Sequence, residues 1–179
     1  MHEARRRLLT WLWRIPVVAA LGGAGYGGYE AYRVHFSKRR PNPKPVFQTR
    51  SRERVADLSE LTESWAAVPF LFADLPAIVL RLPGPIAGGL THQGAHYAAF
   101  SRICTHQHCL VDLSRDPSAI ALAFNYRSEV PALVCACHLS VFAPDRGGRA
   151  VSGPAVLPLP RVELQQEAGV LYATGIEVS

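Results

Sequence analysis

The sequence predicts an all-β domain behind a single apolar N-terminal helix, and three observations carry that expectation. Past Trp65 the apolar residues fall in short runs broken by Gly and Pro, the pattern of strands and turns. No long stretch after Trp65 has helical periodicity. Near the start, Ile15–Tyr32 is apolar apart from Glu30. At 179 residues, 49% apolar and 18% charged, the chain has room for one domain with a core plus something smaller, and it is too apolar for a disordered protein.

Residues 1–36 read as a membrane anchor. Arg5-Arg6-Arg7-Leu8-Leu9 precedes Trp11 and Trp13, and Tyr26, Tyr29 and Tyr32 close the apolar run. Aromatic residues at both ends suit the two membrane interfaces. The run itself is 18 residues, short against the ~20 that a spanning helix needs. A weakly hydrophobic, Gly-rich stretch behind arginines resembles a twin-arginine export signal. No clean small-x-small cleavage site lies in Gly22–Gly28, so the segment is expected to stay as a single-pass anchor.

Residues 37–54 read as an extended tether, because Pro41, Pro43 and Pro45 can neither continue a helix nor pair inside a sheet. The remaining residues, 55–179, make the globular domain. Its expected strands are Val68–Phe72, Ala77–Leu82, Tyr97–Phe100, Ala121–Tyr126 and Ala132–Ala136. Val162–Gln165 and Val170–Ala173 flank Gln166-Glu167-Ala168-Gly169 as a terminal hairpin.

Charge is divided unevenly. Of 19 Lys and Arg, 12 lie in residues 1–54 against three acids, a net of +9; residues 55–179 hold seven bases and 11 acids, a net of −4. The domain is mildly acidic, so a nucleic-acid partner is not expected despite the high isoelectric point.

Two short boxes carry the chemistry: Cys104-Thr105-His106-Gln107-His108-Cys109 and Cys135-Ala136-Cys137-His138-Leu139-Ser140. All four cysteines of the chain fall within 34 residues. Such clustering points to a metal site, to two disulfides, or to one disulfide beside two metal ligands. Each box offers a thiolate and an imidazole, so two loops together can make a four-ligand site that leaves Cys109 and Cys137 over.

These boxes resemble the Rieske iron–sulfur family, whose pattern is Cys-Thr-His-x-x-Cys followed by Cys-x-Cys-His-x-Ser. The match is strong over about residues 101–160. The resemblance implies an antiparallel β sandwich or barrel with an inserted cluster-binding subdomain. It implies a 2Fe–2S cluster with Cys104 and Cys135 on one iron and His106 and His138 on the other. Cys109–Cys137 would be the disulfide that braces the loops, as in the quinol-oxidising branch. Gly153-Pro154-Ala155 resembles the proline-bearing loop that covers the cluster there, and Ser140 would donate a hydrogen bond to a cluster sulfur.

The implied function is electron transfer from quinol to a cytochrome c-type haem within a cytochrome bc complex. The partners would be cytochrome b and cytochrome c-type subunits, and the domain would lie on the extracytoplasmic (periplasmic) side of the membrane. His138, with His106, would make the quinol contact and couple proton to electron. The alternatives are the small Rieske subunit of another exported oxidoreductase, of the arsenite oxidase type, and a Cys2His2 structural zinc module. Several residues depart from the family pattern. Gln107-His108 replaces Leu-Gly, Leu139 replaces Gly, Phe142 stands where a Tyr is common, and Ala143 where an Asp is. The 25 residues between Cys109 and Cys135 are a longer insertion than expected. His92, His96 and His108 are expected to be surface residues, and Asp74, Asp112 and Asp116 turn or strand-end residues.

Overall fold

The computed structural model describes residues 2–178 and divides into two units, 1–37 and 38–179. The first is one helix, α1 (His2–Phe36). Its 35 residues span ~52 Å at 1.5 Å each, so the helical backbone runs well past the apolar stretch at both ends. By length and hydropathy it is a candidate membrane span, and its apolar window is unburied within the chain. Near its end Glu30 and Arg33 pair at 3.0 Å, neutralising the charge that interrupts the run. The side chains of Leu8 and Leu9, part of the export-signal reading, lie outside the described residues.

The second unit holds eleven antiparallel strands among the described residues. In chain order they are β1 (Phe47–Asp57), β2 (Ala67–Phe72), β3 (Leu75–Leu82), β4 (Leu90–His92), β5 (Ala95–Ser101), β6 (Asp112–Ser114), β7 (Ala132–Cys135), β8 (Ser140–Ala143), β9 (Arg149–Ser152), β10 (Arg161–Glu167) and β11 (Val170–Glu177). A seven-stranded sheet runs β1-β11-β10-β5-β3-β2, with β4 on β5; a four-stranded sheet runs β6-β7-β8-β9.

The large sheet buries both faces of β3 and β5. Ile78, Leu80, Ala98 and Phe100 point one way, into a core shared with Leu133 of β7, Phe142 of β8 and Ala150 of β9. Ala77, Val79, Tyr97 and Ala99 point the other way, against Val55, Leu164 and Leu171. A strand covered on both sides reads as a continuous apolar run, which is why Ala77–Leu82 was legible as a strand without alternation. The terminal hairpin of β10 and β11 forms where expected, turning at Ala168 and Gly169, both at positive φ.

Two expectations fail. Ala121–Tyr126 is not a strand; most of it lies in a helix, α2 (Pro117–Phe124). Asp116 caps that helix by accepting from the Ser118 N–H at 2.8 Å, Pro117 sits in its first turn, and Asn125 ends it in the left-handed region. The apolar run was too short for its length to arbitrate, and the caps decided it. Ile120 packs with Ala132, Val134 and Val141, so the long insertion covers the outer face of the small sheet.

Residues 37–54 are not a free tether. Phe47–Asp57 pairs with β11 as an edge strand, and the β unit begins at Lys38. The expected extended backbone is present, but its carbonyls have partners. Buried Arg161 donates to the Asn42 carbonyl at 2.8 Å while its ion pair with Glu177 holds it in place. Proline removes donors but leaves acceptors, and here the domain uses them.

Candidate metal centre

The two boxes lie at two loops that the sheets bring together. The first follows β5. A bridge between Ile103 and Leu110 closes its base, and inside it the Cys104 N–H donates to the Cys109 carbonyl at 2.8 Å and the His108 N–H to the Cys104 carbonyl at 2.9 Å. Arg102, which no motif singled out, steadies that base. Its Nε donates to the Val111 carbonyl at 2.8 Å, and its guanidinium pairs with Asp112. The second box is the β7–β8 hairpin tip, with Cys135 paired to Ser140 across Ala136–Leu139.

Strand alternation sets which side chains face inward. Leu133 and Cys135 of β7 and Ser140 and Phe142 of β8 share the face turned to the main core, while Val134 and Val141 face α2. Cys104 and Cys135 are both 1% exposed and neither is in a disulfide. The Cys104 side chain neighbours that of Cys135. Burial pushes the Cys135 thiol up, and that contact adds to the rise. Backbone N–H groups of Cys137 and His138 work against it.

Cys109 and Cys137 form a disulfide with their Cα atoms 6.5 Å apart, so the two loops are covalently joined. The His106 and His138 rings meet edge to face with centroids 4.9 Å apart; His106 is half-buried and His138 exposed. The sulfurs of Cys109, Cys135 and Cys137 also lie within 4.8 Å of one another. Two of those sulfurs are spent in the disulfide, so this trio is not a ligand set. The donors that remain are two buried thiols and two imidazoles, a sulfur and nitrogen set suited to iron–sulfur chemistry.

A third loop lies over both boxes. The Ala155 N–H donates to Ser140 Oγ at 3.1 Å, and Thr105 Oγ1 donates to the Leu157 carbonyl at 2.8 Å. Phe142 is fully buried in the same apolar cluster as Cys104 and Cys135. Outside the site, His96 sits on the β4–β5 hairpin with Nδ1 3.0 Å from the Thr91 hydroxyl, Asp116 serves as the helix cap, and Asp74 lies in the β2–β3 turn.

No family model matches the chain. Among curated proteins it is 34% identical over 85 residues to the cytochrome bc1 complex Rieske iron–sulfur subunit of Corynebacterium diphtheriae, an alignment covering 47% of this chain and 18% of that one. It is 29% identical over 128 residues to the iodate reductase subunit IdrB of a Pseudomonas strain, covering 70% of this chain and 60% of that one. The chain therefore spans less than two thirds of the length of either relative. Among solved structures, the soluble domain of Rieske protein II from Sulfolobus acidocaldarius superposes with a TM-score of 0.54 at 25% identity, covering 75% of this chain and 82% of that one. The β architecture, the two boxes and these likenesses together support a Rieske iron–sulfur protein with a 2Fe–2S cluster as its cofactor.

Proposed function

We propose that this protein takes an electron from quinol and passes it to a cytochrome c-type haem in a membrane-bound cytochrome bc complex, with Cys104 and Cys135 on one iron and His106 and His138 on the other. The observation that carries the reading is the separation of the two donor types. The thiols are buried against the core, while His138 is exposed at the hairpin tip.

When bound, the cluster holds one electron at a time, and two imidazoles in place of thiolates bring its potential into the range of roughly −150 to +300 mV. The chain's own groups do the rest. The backbone of Cys137 and of His138 favours the thiolate form of Cys135. Ser140 Oγ accepts from Ala155, which leaves the hydroxyl proton for a sulfur in the site. On this reading the exposed His138 would accept a hydrogen bond from a quinol hydroxyl. The disulfide suits an oxidising compartment, and with α1 as anchor it supports an extracytoplasmic domain.

A second reading keeps the cluster and changes the partners: the small Rieske subunit of another exported oxidoreductase. It is favoured by the alignment to the iodate reductase subunit, which covers 70% of this chain against 47% for the bc1 subunit. Purification in mild detergent separates the two. Co-purifying cytochrome b supports the first and a molybdenum subunit the second. Cys104→Ser and His138→Ala are each expected to abolish the cluster's EPR signal; a variant that keeps full iron and an unchanged spectrum overturns the ligand assignment.

A further inference from the structure

The β unit begins at Lys38, and its first two residues are tied to the loop that lies over the boxes. Lys38 Nζ donates to the carbonyls of Gly153 and of Ala155, the latter at 2.6 Å. The Arg39 N–H donates to the Val156 carbonyl at 3.0 Å. Three bonds thus join residues 38–39 to one short stretch more than 110 positions later in the chain.

That stretch faces the site on its other side. Ala155 donates to Ser140, Leu157 accepts from Thr105, and Gly153 lies directly against the Leu139–Ser140 backbone. Loop 153–157 is therefore a bridge, with both boxes on one side and Lys38–Arg39 on the other. The choice of side chain is informative. An ammonium that is part-buried loses water, and burial lowers its affinity for its proton. No carboxylate forms an ion pair with Lys38 among the described residues, so carbonyl dipoles alone offset that loss. A structural filler at this position would need no charge.

We propose that Lys38 is a positioning residue that latches the leading segment of the β unit to loop 153–157, holds that loop on the two boxes and fixes a positive charge behind it. The part of the proposal concerning potential rests on the function argued above. With the latch closed, residues 38–46 and the tip of the site move as one body. A fixed positive charge favours the added electron, so the latch raises the potential of whatever redox group the boxes hold.

The test uses the full chain in detergent, as wild type, Lys38→Met and Lys38→Arg. Met keeps the aliphatic stem and loses the charge and donors; Arg restores both. Two quantities are read: hydrogen exchange of the Arg39 and Ala155 amides, and the midpoint potential by EPR-monitored titration. Lys38→Met is expected to exchange those amides about tenfold faster and to have a lower potential. Lys38→Arg is expected to recover both. Unchanged exchange in Lys38→Met overturns the latch, and faster exchange with an unmoved potential overturns the role of its charge. A wild-type chain lacking a 2Fe–2S signal would overturn the functional reading instead, and exchange would still judge the latch because it needs no cluster.

Discussion

Gly153 lies against Leu139 and Ser140 so closely that a Cβ on it would stand 2.6 Å from the Ser140 Cα and closer still to the Leu139 carbonyl oxygen. Its φ of 75° is also in the region that glycine tolerates and other residues resist. Gly153→Ala is therefore expected to push loop 153–157 off the hairpin tip. The cost is about 3 kcal/mol, from a strained backbone and an overfilled contact together. Denaturant unfolding measures the loss, and a lower iron-to-protein ratio in the purified variant is expected with it.

His108 and Leu139 occupy the left-handed region with φ of 59° each, at positions where the Rieske pattern has Gly. Both are exposed, so neither owes its place to packing. The left-handed penalty for a residue with a Cβ is ~1–2 kcal/mol, and glycine returns part of it as unfolded-state entropy. His108→Gly and Leu139→Gly are each expected to stabilise the protein by ~0.5–1 kcal/mol, read as a higher denaturation midpoint. A fall in stability at either site would mean its side chain makes a contact worth more than the backbone strain.

The Cys109–Cys137 bridge closes a loop of 28 residues. Removing it by the paired change Cys109→Ala and Cys137→Ala is expected to cost about 3.5 kcal/mol through the added freedom of the unfolded chain. The bridge joins the two boxes, so the variant is also expected to hold its cluster labilely and at a lower potential. Loss of visible absorbance on dilution follows the first effect and redox titration the second. Two free thiols at Cys109 and Cys137 in aerobically purified wild type would remove the basis of this prediction.

Phe142 shares its buried cluster with Cys104 and Cys135. Phe142→Tyr is expected to raise the cluster potential, since a hydroxyl aimed at a ligand sulfur stabilises the reduced form. The hydroxyl enters an apolar core, where one left without a partner costs ~1–3 kcal/mol. A potential that stays level while stability falls would show that the ring edge points away from the ligands.

Much of the site was legible because its chemistry is written in contiguous residues. The Cys-Thr-His and Cys-x-Cys-His boxes are each a continuous run of residues, and the fold brings the two runs together. Strands buried on both faces, such as β3 and β5, announce themselves as unbroken apolar runs. The edge strand β1 was not legible: Gln48–Arg54 is mostly exposed and charged, as an edge that resists aggregation should be, and its pairing with β11 is a contact across more than 110 residues. Helix α2 was missed because a short, mostly apolar segment of eight residues carries no decisive period, and capping by Asp116 settled the matter.

By itself the sequence determined that there is one anchor-like apolar segment, a mainly β domain and two Cys–His boxes, since periodicity, composition and motif spacing are local properties. Tertiary structure decided which groups those loops present to one another. Strand register turns Cys135 and Ser140 to the same face, folding joins Cys109 to Cys137, and the proline segment becomes part of the domain through Lys38, Asn42 and β1. The contacts of Lys38, Asn42 and β1 join residues more than 110 positions apart, and only the packed sheets bring such partners within bonding distance.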